Sequence, residues 1–293
     1  MNQKYKAKGI ILKGSSLKES DRLVTILTPE YGLIRAVAPG AKKHKSRLRG
    51  RTELFVVNEL LLVRGRSLDK IIQADTLYTY PGLSRDLGKL ASAQYLGELA
   101  LFLAVDEQPQ TELYAVFNEH LRRIENFDSQ ESIYPYLAQA VFHLVAIAGL
   151  TPQVFNCCLT QRQVMPNLAD FQWRVGFSFE AGGIINLAAV AATQQQPTQV
   201  KNQANLDSLP EERDYNLLPK INYRLNASEL GILQQLNRQK LPSTVLLTEE
   251  QTVNLDFETA WIRIERILRE YIQYHIGKTI RSATLVDSLY IEF

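Results

Sequence analysis

Cysteine is nearly absent from this chain. Its only two cysteines among 293 residues stand side by side at Cys157 and Cys158, so no disulfide framework can be built. Long apolar runs are missing too: the longest, Leu99–Val105 and Val141–Leu150, fall short of the roughly 20 residues a membrane-spanning helix needs. The lysines near the N-terminus precede no apolar core of signal-peptide type, and a cytoplasmic protein is expected. No Gly-x-x-x-x-Gly-Lys-Ser/Thr run is present to cradle a nucleotide phosphate, and no His-x-x-x-His pair or carboxylate cluster to hold a catalytic metal. The four histidines, His44, His120, His143 and His275, are scattered. Glu19 and Asp21 sit beside Arg22 and read as a turn or ion-pair element, and the two thiols have no base next to them. The expectation is a protein with no catalytic residues, no cofactor and no metal.

Acidic residues are also missing from Tyr31 to Arg51, and that gap holds the strongest signal in the chain. Lys42-Lys43-His44-Lys45-Ser46-Arg47-Leu48-Arg49-Gly50-Arg51 carries six Lys or Arg in ten positions. Residues 1–80 hold 16 Lys and Arg against 7 Asp and Glu, while residues 81–293 hold 17 against 24. A formal net charge of +2 therefore conceals a basic N-terminal part and an acidic remainder, the imbalance expected where one end meets a polyanion.

The basic part reads as strands. Lys8–Lys13, Arg22–Thr28, Leu33–Ala38, Glu53–Val63 and Ile71–Tyr78 are β-rich runs, separated by turn signals at Gly14-Ser15-Ser16, Pro29 with Tyr31-Gly32, Pro39-Gly40 and Arg64-Gly65-Arg66. Five short strands at this spacing predict a small closed barrel of the OB type, an architecture that binds single strands through a basic groove and stacking aromatics. The period changes at Pro81-Gly82. Helices are predicted from an N-cap at Ser84, over Glu112–Asn126, over Ile133–Ala148 with Gly149 just beyond, over Ser228–Gln239, and over Phe257–His275. Residues 150–187 look irregular, and 192–212 are rich in Gln, Asn, Pro and Ser, as in a linker. The overall expectation is a multidomain α+β chain: an OB-fold β-barrel over 1–80, then a mostly α-helical domain over 81–293.

Several passages together resemble the bacterial RecO family of recombination mediators. They are Lys8–Leu12 with Glu19–Thr28, Gly32–Ala41 running into the basic loop, Gly149-Leu150-Thr151-Pro152, Gly182-Gly183, and Leu268–Tyr271 continuing through His275–Gly277 to Ile280-Arg281-Ser282. They follow the family's order from end to end, and the N-terminal block is the most specific. The resemblance implies an OB-fold joined to a helical domain, often with a zinc-binding insertion. It also implies binding of single- and double-stranded DNA, annealing of complementary strands, and work with RecR in loading RecA onto strands coated by the single-stranded-DNA-binding protein SSB. The setting it implies is the cytoplasm, in association with the nucleoid. One departure stands out: where many members carry spaced cysteine pairs, this chain has Cys157-Cys158-Leu159-Thr160 and, after the Gly-Gly, Asn186-Leu187-Ala188-Ala189. Adjacent thiols with no second pair cannot supply a tetrahedral zinc, so residues 150–190 are expected to form a degenerate, zinc-free finger.

The candidate DNA-binding residues are Lys42, Lys43, Lys45, Arg47, Arg49 and Arg51 on the loop, Arg22 and Arg35 near the same face, and Arg64 and Arg66 at the next turn. Lys4, Lys6 and Lys8 would extend the track, and Tyr31 is the aromatic placed to stack on a base or to pack on the barrel rim; Phe55 is expected in the core. Contacts of this kind go to phosphates, so binding should tolerate sequence and depend on salt. For the acidic tail of SSB, Arg122 and Arg123 are candidates. An alternative use of the same barrel is a scaffold that binds RNA or protein without annealing activity; a nuclease or thiol enzyme has the least support.

Overall fold

The computed structural model describes residues 3–128, 131–194, 218–241 and 257–290. Five strands come first: β1 (Lys4–Ser16), β2 (Arg22–Thr28), β3 (Gly32–Ala38), β4 (Val57–Val63) and β5 (Asp69–Tyr78). They form a closed barrel in the order β1-β2-β3-β5-β4, the OB-type arrangement expected from the strand spacing. Strand β1 serves two neighbours. Its first half, Lys4–Ile10, pairs with β4, its second half pairs with β2, and the register shifts between Ile11 and Lys13 where it turns the corner. Closure rests on a short parallel contact, Ala36 opposite Asp69 and Val37 opposite Lys70.

Alternation decides what faces outward. In β3, Ile34, Ala36 and Ala38 are buried in the barrel core with Ile11, Val24, Ile26, Leu60, Leu62 and Ile71, which turns Leu33, Arg35 and Val37 to the outside. The fourth strand is shorter than its apolar run suggests. A 3-10 turn at Gly50–Thr52 and a left-handed Phe55, at φ 62°, precede the strand, and residues 55 and 56 bond β1 only at Ile11, through the Phe55 N–H at 2.8 Å and the Val56 carbonyl at 3.1 Å. Phe55 is buried and packs 3.3 Å from the point where a Cβ on Gly97 would sit.

Next come α1 (Leu87–Leu103), α2 (Thr111–Asn126) and α3 (Tyr134–Ile147), packed together around Tyr95, Leu96, Leu99, Phe117, Leu121 and Leu144, all fully buried. The cap of α1 is Asp86, whose carboxylate accepts from the Lys89 N–H at 3.0 Å. Ser84, the cap expected from the sequence, instead lies in a preceding 3-10 turn at Leu83–Arg85, its hydroxyl bonded to the Pro81 carbonyl. The chain divides into two compact units, residues 1–149 with 268–293, and residues 150–267.

The second unit contains β6 (Val175–Ser178), β7 (Gly183–Ile185), α4 (Leu187–Gln194), β8 (Tyr223–Leu225) and α5 (Ala227–Leu233). Its sheet has the order β7-β6-β8, so the stretch 150–187 is less irregular than its sequence suggests. Most of the predicted linker at 192–212 lies outside the described residues. Helix α6 (Phe257–Ile276) matches the predicted span closely, and α7 (Ala283–Tyr290), which no periodic pattern announced, packs on α1. Among the described residues no helix is long and apolar enough to cross a membrane.

Candidate nucleic-acid interface

The basic loop between β3 and β4 is pinned at both ends. At its start the Asp21 carboxylate accepts the Gly40 N–H at 2.8 Å, and the Lys42 N–H donates to the Ser20 carbonyl at 2.9 Å. The Gly40 bond, outweighing partial desolvation and helped by the Ser20 hydroxyl, holds the Asp21 carboxyl below its ordinary range. At its far end the buried Thr52 hydroxyl lies 2.9 Å from the Leu48 carbonyl and 3.2 Å from that of Arg49. The Asn58 amide donates to the Arg51 carbonyl at 2.8 Å, and Leu48 packs on the barrel core. These anchors use the apolar side chains, the hydroxyls and the backbone. The side chains of Lys42, Lys43, Lys45, Arg47 and Arg49 are left exposed, and none has a salt bridge among the described residues.

Two other predicted residues are committed within the barrel. Arg22 forms an ion pair with Glu53 at 2.5 Å and lies over Gly14. Arg51 donates to the Ala74 carbonyl on β5 and lies 3.5 Å from Asp75. Both brace the loop against neighbouring strands.

Arg35 belongs to an outward row set by strand register, in which Lys13 lies opposite Thr25 and Thr25 opposite Arg35. A parallel row runs Ser15, Leu23, Val37 and Lys70. Cross-strand neighbours sit about 5 Å apart, so exposed Lys13, Arg35 and Lys70 make one cationic face. Lys13 and Lys70 were not singled out from sequence. Their positive charge was the only signal in the sequence, and it points to a shared face only once the register is known.

Arg35, Arg64 and Arg66 also line a groove of about 340 Å³ at the barrel end, with Tyr5 and Tyr31. The tyrosines meet edge to face, centroids 5.1 Å apart, and the Arg64 guanidinium lies 5.3 Å from the Tyr5 ring. Tyr5 donates its hydroxyl to Asp69, and burial followed by that carboxylate pushes its phenol well above the usual value. Tyr31 is therefore half-buried against a partner ring. Asp69, Asp106 and Glu107 line the groove as well, so the surplus of positive charge lies on the loop and the β3 face.

Both members of the predicted pair on α2 meet Glu119. Arg123 lies 3.0 Å from it and is also held by the Gln139 side chain of α3 at 2.7 Å, whereas Arg122 lies 3.8 Å from it and is exposed beside the Tyr78 ring, 5.7 Å from its centroid. In the second unit, Cys157 is buried and its sulfur accepts the Asn186 N–H at 3.3 Å. Burial raises that thiol, but the Asn186 amide and the Thr160 and Leu159 groups outweigh it and bring it below the ordinary thiol value. A structural zinc needs about four Cys or His donors. The residues facing Cys157 offer amides instead, Cys158 is its immediate neighbour, and no group of three or more His, Cys, Asp or Glu converges among the described residues. The donor set does not fit zinc.

The family profile described as "Recombination protein O N terminal" matches residues 1–80, and "Recombination protein O C terminal" matches residues 84–199. The chain is 58% identical over 289 residues to the DNA repair protein RecO of Gloeothece citriformis (strain PCC 7424), covering 99% of this chain and 98% of that protein. It is 51% identical over 298 residues to the DNA repair protein RecO of Nostoc sp. (strain PCC 7120 / SAG 25.82 / UTEX 2576), covering 99% and 97%. With the DNA repair protein RecO of Synechocystis sp. (strain ATCC 27184 / PCC 6803 / Kazusa) the identity is 45% over 293 residues, covering 99% and 98%.

Proposed function

The chain belongs to the RecO family of DNA repair and recombination proteins, and from that premise we propose that it is a non-catalytic DNA-binding mediator. In this reading it binds single- and double-stranded DNA through the barrel and anneals complementary strands. With RecR it helps RecA load onto strands coated by SSB. The observation that carries the reading is the braced β3–β4 loop, whose five exposed cations have no salt bridge among the described residues. Each phosphate neutralised by such a side chain releases condensed counterions, which favours binding without regard to base sequence. Annealing follows physically: two strands repel through their phosphates, and a surface that neutralises both lowers the cost of bringing them together. RecR, RecA and the SSB tail come from family membership, and Arg122, more exposed and more loosely paired with Glu119, suits an acidic tail better than Arg123.

The decisive titration uses a labelled single-stranded oligonucleotide over a range of salt, comparing wild type with Lys43→Glu/Arg47→Glu/Arg49→Glu. The variant should bind about tenfold more weakly or worse, with a salt slope shallower by about 2, three phosphate contacts having been lost. Unchanged affinity and slope would remove the loop from the DNA site. Annealing of complementary strands without nucleotide then separates the mediator from a scaffold that binds RNA or protein.

A further inference from the structure

A second aromatic site lies at the other end of the β4–β5 hairpin from the Tyr5–Tyr31 groove. Tyr78, Tyr80 and Tyr114 line a pocket of about 390 Å³ together with Lys8 and Arg122. The Lys8 ammonium stands 6.0 Å from the Tyr114 centroid and the Arg122 guanidinium 5.7 Å from that of Tyr78. Tyr80 is fixed from behind, its hydroxyl donating to the Asn118 side chain at 2.7 Å, while Tyr78 is 41% exposed and forms the open wall. Ring faces flanked by cations are the surface on which a base stacks while its phosphate is neutralised.

Strand register connects this pocket to the groove. On β1, Lys8 lies opposite Glu59, Lys6 opposite Leu61 and Lys4 opposite Val63, and the Arg64 N–H donates to the Gln3 carbonyl at 2.9 Å. Lys4, Lys6 and Lys8 are exposed, alternate with inward residues, and have no salt bridge among the described residues. Their spacing is about 7 Å, two residues along a strand, similar to the interval between phosphates of an extended nucleic-acid strand. From Val57 at the pocket to Val63 beside the groove the strand covers about 20 Å. Glu59 is the acid facing this row. Asp75, next along the ladder, is occupied by Arg51.

We propose that a single nucleic-acid strand crosses Lys4, Lys6 and Lys8 from the barrel-end groove and seats one base on Tyr78 and Tyr114 in the pocket. This rests on the reading of the barrel as a DNA-binding domain and gives that domain a second point of purchase. A base held there is splayed from its neighbours, leaving its pairing edge free to meet a complementary strand.

The test uses the full-length chain and oligo-dT of about 6 and about 16 nucleotides, within the span of OB-domain footprints. Lys6→Glu/Lys8→Glu should weaken the longer oligonucleotide about tenfold and leave the shorter unchanged, whereas the loop triple variant weakens both. A 2-aminopurine at one end of the longer strand should be quenched on binding, with quenching lost in Tyr78→Ala and retained in Tyr78→Phe. If the lysine variant binds both lengths like wild type, or Tyr78→Ala quenches normally, the track carries no strand. A third result would also overturn it: an acidic peptide ending in an aromatic residue that loses its binding in Tyr78→Ala while the longer oligonucleotide keeps its affinity. Insensitivity of both lengths to the loop variant sinks the loop reading alone, since loss of the longer strand in the lysine variant still upholds the track.

Discussion

Between α2 and α3, His120 Nε2 and His143 Nδ1 lie 3.0 Å apart, close enough for one ring to donate to the other unless both are protonated. Burial first, then His143 and Arg123, push His120 down to about 3. The unfolded chain takes up that proton near the ordinary value of about 6.5, so stability from this site is complete above that pH. It drains by about 1.4 kcal/mol per pH unit on acidification toward 3. Urea unfolding between pH 6.5 and 5, above most carboxylate titrations, should show this slope in wild type and a flatter one in His120→Leu. Equal slopes would clear His120 of the acid sensitivity. Gly32 makes a second case: at φ +64° it ends the β2–β3 turn, and a methyl there would run into the Val105 carbonyl oxygen. Gly32→Ala should cost roughly 1–3 kcal/mol by thermal melt. Legibility at this scale was uneven. The sequence shows that Arg22 and Arg51 are cations, but not that Glu53 and Asp75, distant in the chain or across a strand, would claim them. Lys13 and Lys70 were legible only as positive charges until register set them beside Arg35.

At the scale of elements, β-rich runs bounded by turn signals made β2, β3 and β5 readable, and in β3 the buried residues alternate as in a half-buried strand. The helix pattern placed α2, α3 and α6 nearly to their ends for the corresponding reason. Strands β6, β7 and β8, three or four residues each, are too short to show a period, so β6 and β7 stayed hidden in what looked like an irregular stretch and β8 ahead of the Ser228–Gln239 helix. The β3–β4 loop lies between these cases: its charge was plain, its rigidity was not, because the bracing runs through Thr52, Asn58, Asp21 and Arg51 rather than through the five exposed cations. This separation can be tested. Thr52→Val should lose the two bonds to Leu48 and Arg49 and cost about 1–2 kcal/mol, measured from the urea midpoint. Oligonucleotide affinity should also fall although no charge changes, since cations on a loosened loop lose more entropy on binding. A destabilised variant with wild-type affinity would show that the cations work without the brace.

Over the whole molecule the charge split was visible from a simple tally, but its meaning depends on what the fold does with the acids. Residues 1–80 contain seven, and four of them have structural partners: Asp21 with the Gly40 amide, Glu53 with Arg22, Asp75 with Arg51, and Asp69 with Tyr5 and the Gly65 amide. Two of these four acids are held by cations and two by neutral groups, so the basic surplus survives folding and is concentrated on the loop, the β3 face and the β1 row. Residues 81–293 carry 17 Lys and Arg against 24 Asp and Glu, so the net attraction for a polyanion belongs to residues 1–80. Binding of single strands should therefore follow the count of free loop cations rather than the small net charge. With five such side chains, the logarithm of the association constant should fall against the logarithm of salt concentration with a slope of about −3.5, steepened further on strands long enough to reach the β1 lysines. Titrations of the short and the long oligonucleotide against salt give both slopes. A slope no steeper than about −1 for both would mean that bases rather than phosphates dominate the contact, and the barrel would then have to discriminate strongly among sequences.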